Sequence, residues 1–394
     1  MGRFGLEASR AASKTLTGSQ SDWLYYVNLG LISMNFLEIR ISDAENMLNL
    51  SSTWVLSRSL PRGRTARSSQ RFFVLAALAL ALAGCAGGGV KESPDQSAKT
   101  AYSRAKLAHS YEFELSSAHT GKNYRIFVSV PEMSPSGDGF PAIYLLDANG
   151  FFPLHALRAR GLERRYEVTG VEPTVIVGIG YATDDFYEPE ARAEDYTPPA
   201  ETPPREADHR GRAYGGADRF LAFIEEELKP LLRAEIPLDR DRETLFGNSY
   251  GGLFVLHVLA HHPERFARYI SSSPSIWWDE KRILRDLERA LEQRAQDGRA
   301  LPPLLLTVGS REQSEPSAGG EDPLALRDRN ARFRMIDNAR ELTSLLEAAG
   351  SPICHRVFEG EHHGDAVLRA SLISLEFALG LPVAGCSFGA EGGD

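Results

Sequence analysis

The pattern of apolar and polar positions is regular from about residue 109 onward. "YEFELSS" (Tyr111–Ser117) and "YRIFVSVP" (Tyr124–Pro131) alternate around "AHTGKN", which predicts a β-hairpin. "PAIYLLD" (Pro141–Asp147) and "PTVIVGIG" (Pro173–Gly180) are unbroken apolar runs, as in strands covered on both faces. Residues 217–234 place apolar side chains at helical spacing. Beyond them "ETLFG", "ARYISSSP", "PLLLTVG" and "ICHRVFEG" read as strands. Between and after these, "GLFVLHVLAHH", "DEKRILRDLERALEQRA", "MIDNARELTSLLEAAG" and "AVLRASLISLEFALG" read as helices. Strand and helix alternate from Pro141, so the pattern predicts an α/β fold: a mostly parallel sheet, an antiparallel leading hairpin and helices on both faces. Two stretches break the alternation, Tyr181–Gly215 and Arg311–Arg334. Each follows the C-terminal end of an apolar strand, where open α/β sheets bind their ligands.

The first part of the chain reads differently. "RGRTARSSQR" (residues 62–71) carries four arginines and no acid, and "FFVLAALALALA" (Phe72–Ala83) follows it. A basic stretch, a short apolar run and small residues make an export signal, too short to span a bilayer as a helix. Its ending "LAGC" (Leu82–Cys85) resembles a bacterial lipobox, which implies a lipid on Cys85 and anchoring in a membrane. Such signals begin near a true N-terminus. Residues 1–61 therefore read as a start-site artefact or a disordered extension, 62–85 as the signal and 86–108 as a flexible tether. The folded α/β domain is expected over 109–381 and a disordered tail over 382–394. Without residues 1–84 the chain holds 35 Lys and Arg against 48 Asp and Glu, a formal −13. So acidic a body argues against nucleic acid as a partner. With Cys85 acylated, Cys354 and Cys386 remain, and they could pair in an oxidising compartment.

Gly-x-Ser-x-Gly occurs twice, at Ser249 in "TLFGNSYGGLF" and at Ser387 in "AGCSFGA". The spacing carries meaning where a strand turns sharply into a helix. Ser249 has that context; Ser387 lies past the closing helix with no histidine downstream. A serine hydroxyl needs a base. His257, His261 and His262 lie on the helix after Ser249, and His355 lies within a strand. His362 and His363 sit in a loop after the last strand, and His363, which precedes Gly364, is favoured. The acid is expected after "PLLLTVG", with Glu312 nearest and Glu315 and Asp322 behind it. The oxyanion hole is expected from the N–H groups of Tyr250 and Asn149. No metal or cofactor is expected: the adjacent pairs His261-His262 and His362-His363 lack the i, i+4 spacing of a zinc helix.

"YLLDAN", "RAEDYTPP", "GNSYGGLFVLHVLAHHPERF", "SSSPSIWWD", "TVGSREQ" and "GEHHG" stand in the order found in the esterase D-like family of α/β-hydrolases. Over about Tyr111–Leu379 the chain resembles its periplasmic trilactone siderophore esterases, of enterobactin and salmochelin type. S-formylglutathione hydrolases and feruloyl esterases are more distant. The resemblance implies Ser249 as nucleophile, His363 as base, and Arg192, Tyr196 and Trp277 near the substrate. It also implies an exported location and a small-molecule ester substrate. Asn248 departs from it, since His often precedes the serine. The reading is a serine esterase working through an acyl-enzyme. Its alternatives are an acyltransferase of the same fold and a binding lipoprotein without chemistry.

Overall fold

The computed structural model describes residues 106–202, 210–313, 328 and 331–386. The expected leader, the signal with Cys85, the tether up to residue 105, Ser387 and the last residues lie outside them. In chain order the elements are β1 (Ser110–Ser116), β2 (Asn123–Ser129), β3 (Phe140–Leu146), α1 (Ala148–Glu163), α2 (Tyr166–Thr169), β4 (Val175–Tyr181) and α3 (Pro189–Asp195). Next come α4 (Ala217–Ala222), a π-helical turn (Phe223–Leu228), α5 (Lys229–Glu235), β5 (Leu238–Asn248), α6 (Tyr250–His261), β6 (Arg268–Ser272) and α7 (Arg282–Gln296). The last are β7 (Leu304–Gly309), α8 (Met335–Ala348), β8 (Ile353–Phe358), α9 (His363–Ser371) and α10 (Ser374–Ala378).

The eight strands form one sheet in the order β1-β2-β4-β3-β5-β6-β7-β8. β1–β2 and β2–β4 pair antiparallel and the rest pair parallel. Side chains alternate along each strand, so every central strand feeds two cores. Leu245, Tyr269 and Leu306 face one side with Phe254 and Leu342; Phe246, Ile270 and Leu305 face the other with Phe151 and Val367. This is the mostly parallel sheet with an antiparallel leading hairpin that the pattern predicts, and the α/β-hydrolase arrangement that the resemblance implies.

The pattern missed α1. Its sequence "ANGFFPLHALRARGLE" holds two glycines and an internal proline, all poor in helices, and burial of Phe151, Phe152 and His155 overrides that preference. It also missed α3, which starts with Pro189 at its first turn and is capped by Glu188, inside a stretch read as irregular. The single closing helix is two, α9 and α10. Nor does the domain stop at residue 381: Val383 is buried, Ala384 O accepts a bond from Arg356, and a disulfide joins Cys386 to Cys354 of β8. No helix among the described residues is long and apolar enough to cross a membrane.

Candidate active site

Three strand ends carry non-glycine residues in the left-handed region: Asp147 after β3 (φ 52), Ser249 after β5 (φ 60) and Ser273 after β6 (φ 43). Such conformations persist where surrounding structure fixes them, and they cluster at functional sites. Ser249 has ψ −116 and forms the turn between β5 and α6. Its N–H donates to Ser272 O (3.0 Å) and its carbonyl accepts from Ser275 N–H (3.1 Å), so the turn is held by the β6 end. A Cβ on Gly247 would lie 2.2 Å from the Gly251 carbonyl oxygen, so the chain can fold back this tightly only with glycine there. A Cβ on Gly251 would meet only Leu146 at 3.5 Å and Asp147 at 3.7 Å, ordinary contacts.

Glu312 stands in the turn after β7 with its carboxylate buried. One oxygen lies 2.7 Å from His363 Nδ1. The other accepts from Ser273 Oγ (2.5 Å) and Gly309 N–H (2.6 Å). Three polar groups thus converge on this one carboxylate. An Nδ1–H directed at it leaves Nε2 as the basic nitrogen of a half-exposed ring. His363 opens α9; His362 is its N-cap. Of the two candidate histidines, the structure pairs His363 with Glu312; the other acids considered, Glu315 and Asp322, lie outside the described residues. Ser249 Oγ makes no hydrogen bond among the described residues, and in unliganded sites that contact is commonly long.

Tyr250 is the first residue of α6 and Asn149 the second of α1, so both N–H groups belong to the first turn of a helix aimed at the strand ends. The Asn149 side chain is committed elsewhere. It donates to Tyr181 O (2.9 Å) and Thr183 O (2.8 Å) and accepts from Tyr181 N–H (2.8 Å), clamping α1 to the end of β4. A Cβ on Gly180 would sit 2.2 Å from that side-chain oxygen.

Two residues expected at the substrate have other work. Tyr196 exposes no surface; its hydroxyl accepts from Asp147 N–H (3.3 Å). Arg192 grips Asp147 with both prongs (2.8 and 2.9 Å) and lies over the rings of Tyr187, Tyr196 and Tyr250. Burial alone would lower the Arg192 pKa, and the Asp147 carboxylate more than offsets it, so the guanidinium stays charged. Both therefore hold the β3–α1 corner that carries Asn149. Neither Asp147 nor this pair was read from the sequence.

Trp277 is half-buried, 6.0 Å between centroids from Tyr250, and stacks on Phe333 at 4.2 Å and 13°. Phe333 lies on the second irregular stretch and was not foreseen. Gln313 next to the acid reaches the far end of that stretch. It accepts from Ile336 and Asp337 N–H (both 3.0 Å), capping α8, and donates to Asp337 (2.7 Å).

Under the serine, Asn248, Ser272 and Thr307 are Cα partners across β5, β6 and β7. Asn248 Oδ1, Ser272 Oγ and Thr307 Oγ1 are buried without partners among the described residues. Asn248 thus belongs to a polar row crossing the sheet. His257 and His261, passed over in the sequence, do stand four apart on α6. They turn to different carboxylates, Asp218 (2.7 Å) and Asp286 (3.4 Å), and no group of three metal-ligating side chains converges among the described residues.

A family model described as "Putative esterase" matches residues 117–376. Ferri-bacillibactin esterase BesA of Bacillus subtilis is 37% identical over 271 residues, 67% of this chain and 88% of its own. Siderophore triacetylfusarinine C esterase of Aspergillus fumigatus is 35% identical over 286 residues, 70% of this chain and 92% of its own. The solved siderophore hydrolase EstA from Aspergillus nidulans is 31% identical with a TM-score of 0.63, covering 72% of this chain and 100% of that one.

Proposed function

The chain belongs to the "Putative esterase" family, an ester hydrolase family, and we propose that it is a serine esterase acting on a trilactone siderophore. The observation that carries the mechanism is the 2.7 Å bond between Glu312 and His363, at the sheet end where Ser249 is held at φ 60. Ser249 Oγ attacks the ester carbonyl carbon while His363 Nε2 takes its proton. Glu312 stabilises the imidazolium that forms. The carbonyl oxygen, now negative, is received by the N–H groups of Tyr250 and Asn149. Collapse breaks the bond to the alcohol oxygen, which leaves with the proton from His363. Water then attacks the acyl-enzyme, again losing a proton to His363, and the acid departs as Ser249 is regenerated.

The substrate class rests on two supports. Relatives across two thirds of the chain carry names of siderophore esterases. Beside the serine, Tyr250, Trp277 and Phe333 make an aromatic wall suited to a planar ring. Export and acylation of Cys85 belong to the same proposal. The Cys354–Cys386 disulfide supports them, because disulfides persist in oxidising compartments.

The test is a hydrolysis panel: short acyl esters, feruloyl esters, S-formylglutathione and trilactones with catecholate or hydroxamate arms. A fluorophosphonate probe tests the nucleophile in parallel. The expected result is labelling at Ser249 and the highest kcat/KM on a trilactone. Labelling with a preference for S-formylglutathione would keep the mechanism and reject the substrate. No labelling at Ser249 would reject the mechanism.

A further inference from the structure

The end of the sheet opposite the site carries a surface of different character. β1 starts at that end, since Ser110 pairs with Ser129, which pairs with Ile176 at the start of β4. α1 begins beside the site at Ala148 and ends at this opposite end, followed by α2 and the turn into β4. The incoming chain lies against the last turns of α1: Arg160 Nη1 donates to Ala108 O (2.7 Å) and Leu107 packs on the core.

Around that entry, Arg164 and Arg165 are exposed, and neither makes a side-chain hydrogen bond or ion pair among the described residues. Val168 is 76% exposed, Leu157 63% and Tyr166 41%. Glu167 and Glu132 are the exposed acids beside them, and Glu132 is already held by Arg160 and His109. On a body of formal charge −13, this is a local excess of cations next to unpartnered apolar side chains. Arginines that meet phosphate headgroups, a tyrosine at the interface and aliphatic side chains at the acyl boundary are the chemistry of a membrane surface.

We propose that the α1–α2 corner is a docking face for a bilayer carrying anionic headgroups. Two observations select a membrane over a protein partner. One is the charge complementarity. The other is the chain's point of entry: only residues 86–105 separate Cys85 from the first described residue, at most about 70 Å when fully extended. A lipid on Cys85 therefore keeps this corner within reach of the bilayer. The docked orientation turns Ser249 and the strand ends away from the membrane, toward a soluble ester.

The test uses the full chain reconstituted into vesicles of phosphatidylglycerol with phosphatidylethanolamine, or of phosphatidylcholine alone. A nitroxide is placed at Val168→Cys and, at the site end, at Asp184→Cys. Relaxation by oxygen against a water-soluble nickel chelate reads contact with lipid. The label at 168 is expected in lipid on the anionic vesicles and in water on phosphatidylcholine, while the label at 184 stays in water on both. Arg164→Gln and Arg165→Gln should each lower the docked population about fivefold and leave ester hydrolysis unchanged. A label at 168 that stays in water on anionic vesicles overturns the proposal. So does lipid contact indifferent to both arginines, and so does shielding of 168 in vesicle-free solution, which would mark a contact between copies of the chain.

Discussion

Glu312 gives one carboxylate oxygen to His363 at 2.7 Å and the other to Ser273 Oγ and Gly309 N–H, so the acid is fixed from two strand ends before it fixes the base. Its position does not depend on the imidazole. A carboxylate held in this way can set the tautomer of His363 without itself changing protonation.

Glu312→Gln keeps the shape but loses the charge and the preference for the Nδ1–H tautomer. Its kcat on p-nitrophenyl acetate should fall about 10³-fold, with little change in KM. Ser249→Ala should lose at least ~10³-fold, and Ser387→Ala nothing. Steady-state kinetics decide, and an unchanged kcat in Glu312→Gln would mean that Ser249 and His363 work as a pair.

The two motif glycines should respond differently. Gly247→Ala drives a methyl into a backbone carbonyl at 2.2 Å and should cost about 3 kcal/mol. Gly251→Ala meets ordinary contacts at the start of a helix and should stay within about 1 kcal/mol of the parent. Denaturant melts of both variants are the check; equal losses would contradict the packing described.

Cys354 and Cys386 are 32 residues apart in sequence. Closing a loop of that length restricts the unfolded chain by about 3–4 kcal/mol. Reduction, or Cys386→Ser, should lower unfolding free energy by that order. A melt insensitive to dithiothreitol would show that the bond does not form.

His155 is fully buried in α1 against Phe246, and burial pushes its pKa down to about 4. In the unfolded chain the ring titrates near 6.5. Below about pH 6.5 the unfolded state therefore binds more protons than the folded one. Stability should fall as pH drops from 6.5 toward 4 and then level off, by on the order of 3 kcal/mol from this group. His155→Leu should flatten that limb in melts run between pH 7.5 and 4, and an unaltered slope would assign the loss to other groups.

Much of this molecule is legible in its sequence, for physical reasons that also explain the gaps. The central strands β3, β4 and β7 are apolar on both faces and announce themselves as unbroken runs, whereas β5 opens with the charged "LDRDRE" and only its second half is legible. Ser249 is recognisable because a strand precedes it, a helix follows it, and the tight turn between them demands the glycine at 247. Glu312 is one acid among three, since a loop carboxylate looks the same whether solvated or buried; two of the groups that hold it, Ser273 and His363, are 39 and 51 residues away. α1 was invisible because its glycines and proline oppose helix formation and only packing reverses them. Tyr196 and Arg192 carried a resemblance to cleft residues, yet the pairing with Asp147 that assigns them a supporting place spans 45 residues. Phe333 had no signal, because its stacking partner Trp277 comes from a different strand end.

Gln313 gives the second irregular stretch a closed root. Its side chain bonds to the opening of α8, so the chain leaves beside the acid and returns at a fixed point whatever lies between. Insertions there cost little more than the slow growth of loop-closure entropy. Phe333 stands on the returning limb, outside the bonds that hold Glu312. The stretch is therefore an exchangeable cassette: natural variation, or a graft from a relative, can reshape the aromatic face of Phe333 and Trp277 while Ser249, His363 and Glu312 keep their places.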